Sequence, residues 1–149
     1  MRVLAICLVA TLAGPVAVAE YAWAVAIWPS GAEFRLEIAA DPESQRRGYM
    51  DREHVAADEG MLFLSTAESP KSFWMKNCRV PLDLIFLDEE FRVVEIAAEQ
   101  QPCPEVGECP SIHPMRFARY VLEVAGGSVR REALRVGDRV TVLAEPSIP

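Results

Sequence analysis

After its first nineteen residues the sequence has no second long apolar run, no basic stripe, no internal repeat and no low-complexity tract. The phosphate-cradling glycine loop, the zinc-protease helix motif, the serine elbow and the dinucleotide fingerprint are also missing, so the enzyme classes they announce have no support. Without clustered Lys and Arg, nucleic acid and anionic membrane surfaces are poor partners. What is present is acid: 22 Asp+Glu against 15 Lys+Arg, a formal charge of −7. Eleven prolines favour loops and strand edges over long helices. A chain of 149 residues fills one domain and not comfortably two.

Met1–Ala19 carries one early positive charge, an apolar middle and the small-x-small ending Ala17-Val18-Ala19. That is the form of a secretory signal peptide, with Glu20 as the new N-terminus or a later cut after Ala24. Gly14-Pro15 interrupts the run, leaving less than the roughly 20 residues a spanning helix needs. The expectation is a periplasmic or secreted protein with no membrane span once the leader is removed. Removing the leader takes Arg2 and no acid, so the acidic balance deepens.

The expected organisation is a leader at 1–19, an N-terminal arm at 20–32, a β-rich domain at 33–145 and a tail at 146–149. Glu33–Ala39 alternates cleanly, with Phe34, Leu36 and Ile38 on one face. Asp41-Pro42 reads as a helix cap and first turn, and Gly48 as the stop of a two-turn helix. Gly60–Ser65 is a short apolar strand, and Leu82–Leu87 a strand buried on both faces with Phe91–Ala98 as its hairpin partner. Glu99–Met115, with four prolines, is a long loop. Arg119–Ala125 alternates, placing Val121 and Glu123 opposite Tyr120, Leu122 and Val124. A short helix near Val129–Arg135 and a last strand at Arg139–Leu143 complete the chain. The sum is a mainly β, single-domain antiparallel sandwich or small barrel of about six or seven strands with two short helices. A βαβ layout is not expected, since both helical segments are short.

Chemistry concentrates in Ser72–Asp88, where two apolar runs are joined by a link holding Lys76, Asn77, Cys78 and Arg79. Asp83 stands between Leu82 and Leu84 in an oily strand, where an ionised carboxylate needs a cation or several donors. Trp74, Lys76, Asn77, Asp83 and Arg47 can therefore line a polar cleft with an aromatic floor for a small polar or sugar-like ligand. Equally, Lys76 and Asp83 can be a structural ion pair and Asn77 can answer backbone groups at a corner. Met75, Cys78, His113 and Met115, with Met50 and Met61 nearby in type, form a candidate soft-metal set suited to Cu(I), although methionine more often fills cores. Cys78 as a nucleophile with His54 or His113 as base lacks any local signature. Cys103 and Cys109, in an exported proline-rich loop, are expected to form a disulfide.

The order of blocks is also familiar. Gln45–Met50, Asp58–Phe63, Phe73–Asn77, Pro81–Asp88, Ala118–Glu123 and Val136–Asp138 together resemble domain-of-unknown-function family 192, over about Phe34–Val142. Tyr49 stands where Leu is usual in that pattern, and Cys78 where Thr is usual. The resemblance implies a mainly β sandwich or barrel and no assigned activity or cofactor. The reading as a whole is a binding or accessory module rather than an enzyme, holding a small polar, saccharide-like ligand or envelope component. A copper-binding protein and a purely structural or interaction domain are the alternatives.

Overall fold

The computed structural model describes residues 23–145; the expected leader at 1–19 and the expected tail at 146–149 lie outside them. Strand β1 (Trp23–Ile27) turns through Trp28–Ala32 into β2 (Glu33–Ala39), whose alternation buries Phe34 and Leu36. Helix α1 (Pro42–Arg47) starts where expected, with the Asp41 carboxylate accepting from the Glu43 and Ser44 amides. An irregular segment leads to β3 (Glu59–Phe63). Then come β4 (Phe73–Trp74), β5 (Leu82–Leu87), β6 (Val93–Gln100), β7 (Ser111–Ile112), β8 (Tyr120–Ala125), the single turn α2 (Ser128–Arg131) and β9 (Thr141–Glu145).

Seven strands form one sheet in the order β6-β5-β8-β3-β2-β1-β9, and β4 pairs with β7 in a small second sheet. The large sheet curls into a half-barrel. Its two edges approach where Arg92 bridges Arg139 and the Val93 amide donates to the Asp138 carbonyl at 2.8 Å. The mainly β reading holds. Two features differ from the expectations. Residues 23–27 of the presumed arm are a full strand between β2 and β9. The β2–α1–β3 connection makes one parallel pair, Arg35–Ala39 against Glu59–Phe63, inside an otherwise antiparallel sheet. A short helix plus irregular chain is enough for that crossover.

Both faces of the sheet are covered, which is why all six residues of β5 are buried. One face, with Leu36, Leu62, Ile85, Leu122 and Val124, lies inside the half-barrel. The other, with Met61, Phe63, Leu84, Phe86 and Val121, packs under Tyr49, Val55 and Met75 from the connecting segments. Phe73 sits edge-on to Phe63 and Phe86, at 5.2 and 6.0 Å between ring centres, fixing the β4 layer over the sheet. Directly paired residues in neighbouring strands share a face. Asp83 is paired with Val124, so it belongs to the inner face. Glu123 is paired with Leu84 and Met61, so it belongs to the outer one. Among the described residues no helix is long and apolar enough to cross a membrane.

Candidate functional site

Under the C-terminal end of α1 the chain folds back over β3 and β8. Gly48 makes this possible: its φ is +45°, and a Cβ there would lie 3.3 Å from Glu123 Oε2 and 3.4 Å from the Phe63 ring. The Ser69–Trp74 segment faces this turn. Between the two walls is a cavity of about 380 Å³. Its floor is Tyr49, Phe63, Phe73, Val121, Cys78 and Glu123; its rim is Gln45, Arg46 and Arg47 from α1 and Ser65, Ser69, Lys71 and Trp74 opposite.

Glu123 is the chemically unusual member. It is only 5 % exposed, and its Oε2 has no hydrogen-bond partner. Burial is the main cause of a pKa raised to about 8, with the Arg52 charge acting weakly against it. Arg52 does not reach it because its guanidinium is gripped by both oxygens of Glu37 and lies 4.8 Å over the Tyr49 ring. Glu123 therefore carries a proton at neutral pH and can both donate and accept. Burial also pushes the Tyr49 hydroxyl well up, so it stays protonated. The Cys78 thiol rises to about 11, first through burial and then through the charges of Glu123 and Asp51, which makes it a poor thiolate. On the opposite wall, burial lowers the pKa of Lys71, whose ammonium donates to Ser65 Oγ at 2.7 Å and Ser69 Oγ at 2.8 Å. Among the described residues Arg46, Arg47 and Lys71 form no ion pair.

Of the residues singled out from the sequence, Arg47, Trp74, Cys78 and Met50 are brought to this cavity. Lys76 and Asn77 stand at an adjoining opening beside Arg79 and the Cys103–Cys109 loop, and Lys76 Nζ lies 5.3 Å over the Trp74 ring. Asn77 takes a left-handed conformation (φ 56°), and its carbonyl accepts from the Asp51 amide. Asp83 is not at the cleft. It is 0 % exposed and its carboxylate accepts from the backbone amides of Glu99, Gly127 and Val129 at 2.6, 3.1 and 2.8 Å. Those donors are what a carboxylate in an apolar strand requires, and they come from within the chain. No ion pair joins Asp83 to Lys76 among the described residues.

Within the soft-metal set, Met75 is buried in the outer core, His113 is exposed, Met115 is 93 % exposed and Cys78 is half-buried. No cluster of three or more His, Cys, Asp or Glu suited to a metal occurs among the described residues. His54, the other candidate base, is exposed. Cys103 and Cys109 are joined by a disulfide.

Glu123 and Lys71 were not singled out from the sequence. The alternation of β8 placed Glu123 with Val121, on the face opposite Tyr120, Leu122 and Val124. The signal that could have found it is that Val121 is apolar too, so that face had something to pack against.

Comparison with known proteins places these features in a wider set. The model of domain-of-unknown-function family 192, described as an uncharacterized ACR, matches residues 25–142. A solved structure of a proposed transcription regulator from Sinorhizobium meliloti 1021 is similar at 32 % identity and a TM-score of 0.72, covering 82 % of this chain and 95 % of that one. A protein of unknown function from Novosphingobium aromaticivorans DSM 12444 is similar at 32 % identity and a TM-score of 0.71, covering 86 % and 89 %. No curated protein matches the sequence.

Proposed function

The chain belongs to domain-of-unknown-function family 192, and we propose that it works as an exported binding or accessory module that holds a small polar ligand in the cavity beneath α1. The observation that carries this reading is the contrast between the two buried acids. Asp83 has three backbone donors and is complete without a ligand. Glu123 is equally interior, yet its Oε2 is unanswered and it faces a cavity. A buried polar atom left open costs about 1–3 kcal/mol, and a ligand that meets it recovers that cost. Trp74, 44 % exposed at the rim, supplies a flat stacking surface, and Arg47 supplies a fork of donors. The raised Cys78 thiol and the exposed histidines give no activated nucleophile, which favours binding over catalysis.

The test is an amide-resonance titration of the protein with a panel of neutral and acidic saccharides. The reading expects shifts clustered at Gly48, Tyr49, Lys71, Trp74 and Glu123, weakened about tenfold or more by Trp74→Ala. Shifts confined to the Lys76–Arg79 opening, or none from any member of the panel, would remove this cavity as the site.

A further inference from the structure

The cavity is polar at two separate ends. Arg46, Arg47 and Lys71 stand on its rim and make no ion pair among the described residues, in a chain whose formal charge is −7; Arg47 feels Glu37 only at longer range, since Glu37 is held by Arg52. Outside the cavity Arg52, Arg79, Arg119 and Arg130 find acids, while Arg35, Arg92, Arg116, Arg135 and Arg139 form no ion pair among the described residues; what sets Arg46, Arg47 and Lys71 apart is that they converge on one cavity. Lys71 is the most telling of the three. It is partly desolvated, is braced by two serine hydroxyls, and has a third N–H that no described residue takes. A partly buried ammonium held only by neutral acceptors keeps a donor free for an anion at the cavity mouth. The other end is the Glu123 carboxyl, which lies within 4 Å of none of these cations. The two ends therefore do not neutralise each other, and the aromatic and aliphatic floor of Tyr49, Phe63 and Val121 separates them from solvent on one side.

We propose that the ligand is a hydroxylated organic acid of about monosaccharide size, its anionic group held by Arg47 and Lys71 and a hydroxyl at its far end exchanging hydrogen bonds with Glu123. The proposal rests on the cavity being the ligand site and names the ligand's class. The volume, about 380 Å³, is at the small end of the roughly 300–1,000 Å³ range of ligand sites, which suits a single sugar ring and excludes long polymers from the floor. Trp74 at the rim gives such a ring a face to lie on. A carboxylate and a phosphate share the required chemistry, and both are probed.

The experiment is calorimetry on the purified chain with four probes of matched size: glucuronate, its neutral methyl ester, glucose and glucose 6-phosphate. Glucuronate or glucose 6-phosphate is expected to bind about tenfold or more tightly than the two neutral sugars, since one charge-assisted pair supplies that much. Whichever of the two anions binds more tightly identifies the acid group. Arg47→Gln with Lys71→Gln is expected to erase the preference for acids, whereas Glu123→Gln is expected to weaken acid and neutral sugars by a similar factor. Retained melting temperatures show that the variants are folded. Equal binding of acidic and neutral sugars overturns the anion requirement and leaves the cavity reading standing. A preference for acids that survives the double substitution moves the anion site elsewhere and overturns the proposal. Failure of all four probes to bind removes the cavity reading along with it.

Discussion

At the scale of single residues, two acids of one sheet show how the same side-chain problem is answered in opposite ways. Asp83 is held by three amides, so Asp83→Ala leaves three buried donors open and is expected to cost about 3 kcal/mol or more in urea unfolding. A loss below about 1 kcal/mol would contradict its place as a structural acceptor. Glu123 has a different signature. Its pKa rises from an ordinary 4.5 to about 8 in the folded chain. Between those values the native state keeps a proton that the unfolded chain has released. The groups around it are Arg52 and Tyr49 after α1 and Cys78 in the β4–β5 link, and only Arg52 favours the charged form. Its contribution is thus fully present below about pH 4.5, declines as pH rises, and is gone above about 8. One proton gives a slope of about 1.4 kcal/mol per pH unit inside that window. Glu123→Gln is expected to remove this slope, so unfolding curves of the two proteins diverge from pH 5 to pH 8 in the variant's favour; parallel profiles would show that the carboxyl is ionised when folded. Asp83 was conspicuous in the sequence because it interrupts an apolar run. Glu123 was hidden because a single acid in an alternating strand raises no flag, and the Tyr49–Val55 segment that dries this face comes from 68 or more positions away in the chain.

At the scale of elements, what local chemistry controls was legible and what distant pairing controls was not. The start of α1 is written in Asp41 and Pro42, and the Asp41 carboxylate indeed caps Glu43 and Ser44 at 2.9 and 3.0 Å. Asp41→Ala is expected to cost about 1 kcal/mol and, because α1 is a wall of the cavity, to weaken binding of the acid probes as well. The parallel pairing of β2 with β3 could not be read, since periodicity gives a strand its faces and says nothing of its direction relative to a neighbour. One residue does mark how tightly β3 sits between its neighbours. Gly60 sits in β3, where a Cβ would lie 2.8 Å from the Glu123 carbonyl and 2.8 Å from Leu36 Cδ2. A glycine within a strand signals a close approach of backbones, here of β3 with β8 over Leu36. Gly60→Ala has no flexible neighbour on the β8 backbone side to yield, so a loss of about 2 kcal/mol or more in thermal or urea unfolding is expected. An unchanged midpoint would mean that the three strands can spread, and that the glycine is incidental.

At the scale of the whole molecule, charge decides which large partners the chain can have. The similar structure from Sinorhizobium meliloti belongs to a protein proposed to regulate transcription, and a regulator acting directly on DNA needs a basic face that tracks phosphates. Here Arg52, Arg79, Arg119, Arg130 and Arg131 are paired with neighbouring acids, and of the cations without such a pair Arg46, Arg47 and Lys71 surround a cavity instead of lying along a ridge. A concave group of three cations fits one small anion; it cannot follow a helix that presents a phosphate every few ångströms. Among the described residues no helix is long enough for a groove either, since α1 has six residues and α2 has four. Duplex DNA of any sequence is therefore expected to bind more weakly than the roughly 10⁻⁴–10⁻⁶ M typical of non-specific binders, with no retardation in a gel at physiological salt. Retardation that falls steeply with added salt would reveal a phosphate-tracking surface and overturn this assignment. Retardation lost on adding glucuronate, and lost equally in the Arg47→Gln, Lys71→Gln variant, would instead mean that the cavity had captured a single phosphate. That outcome keeps the anion site and changes only what delivers the anion to it.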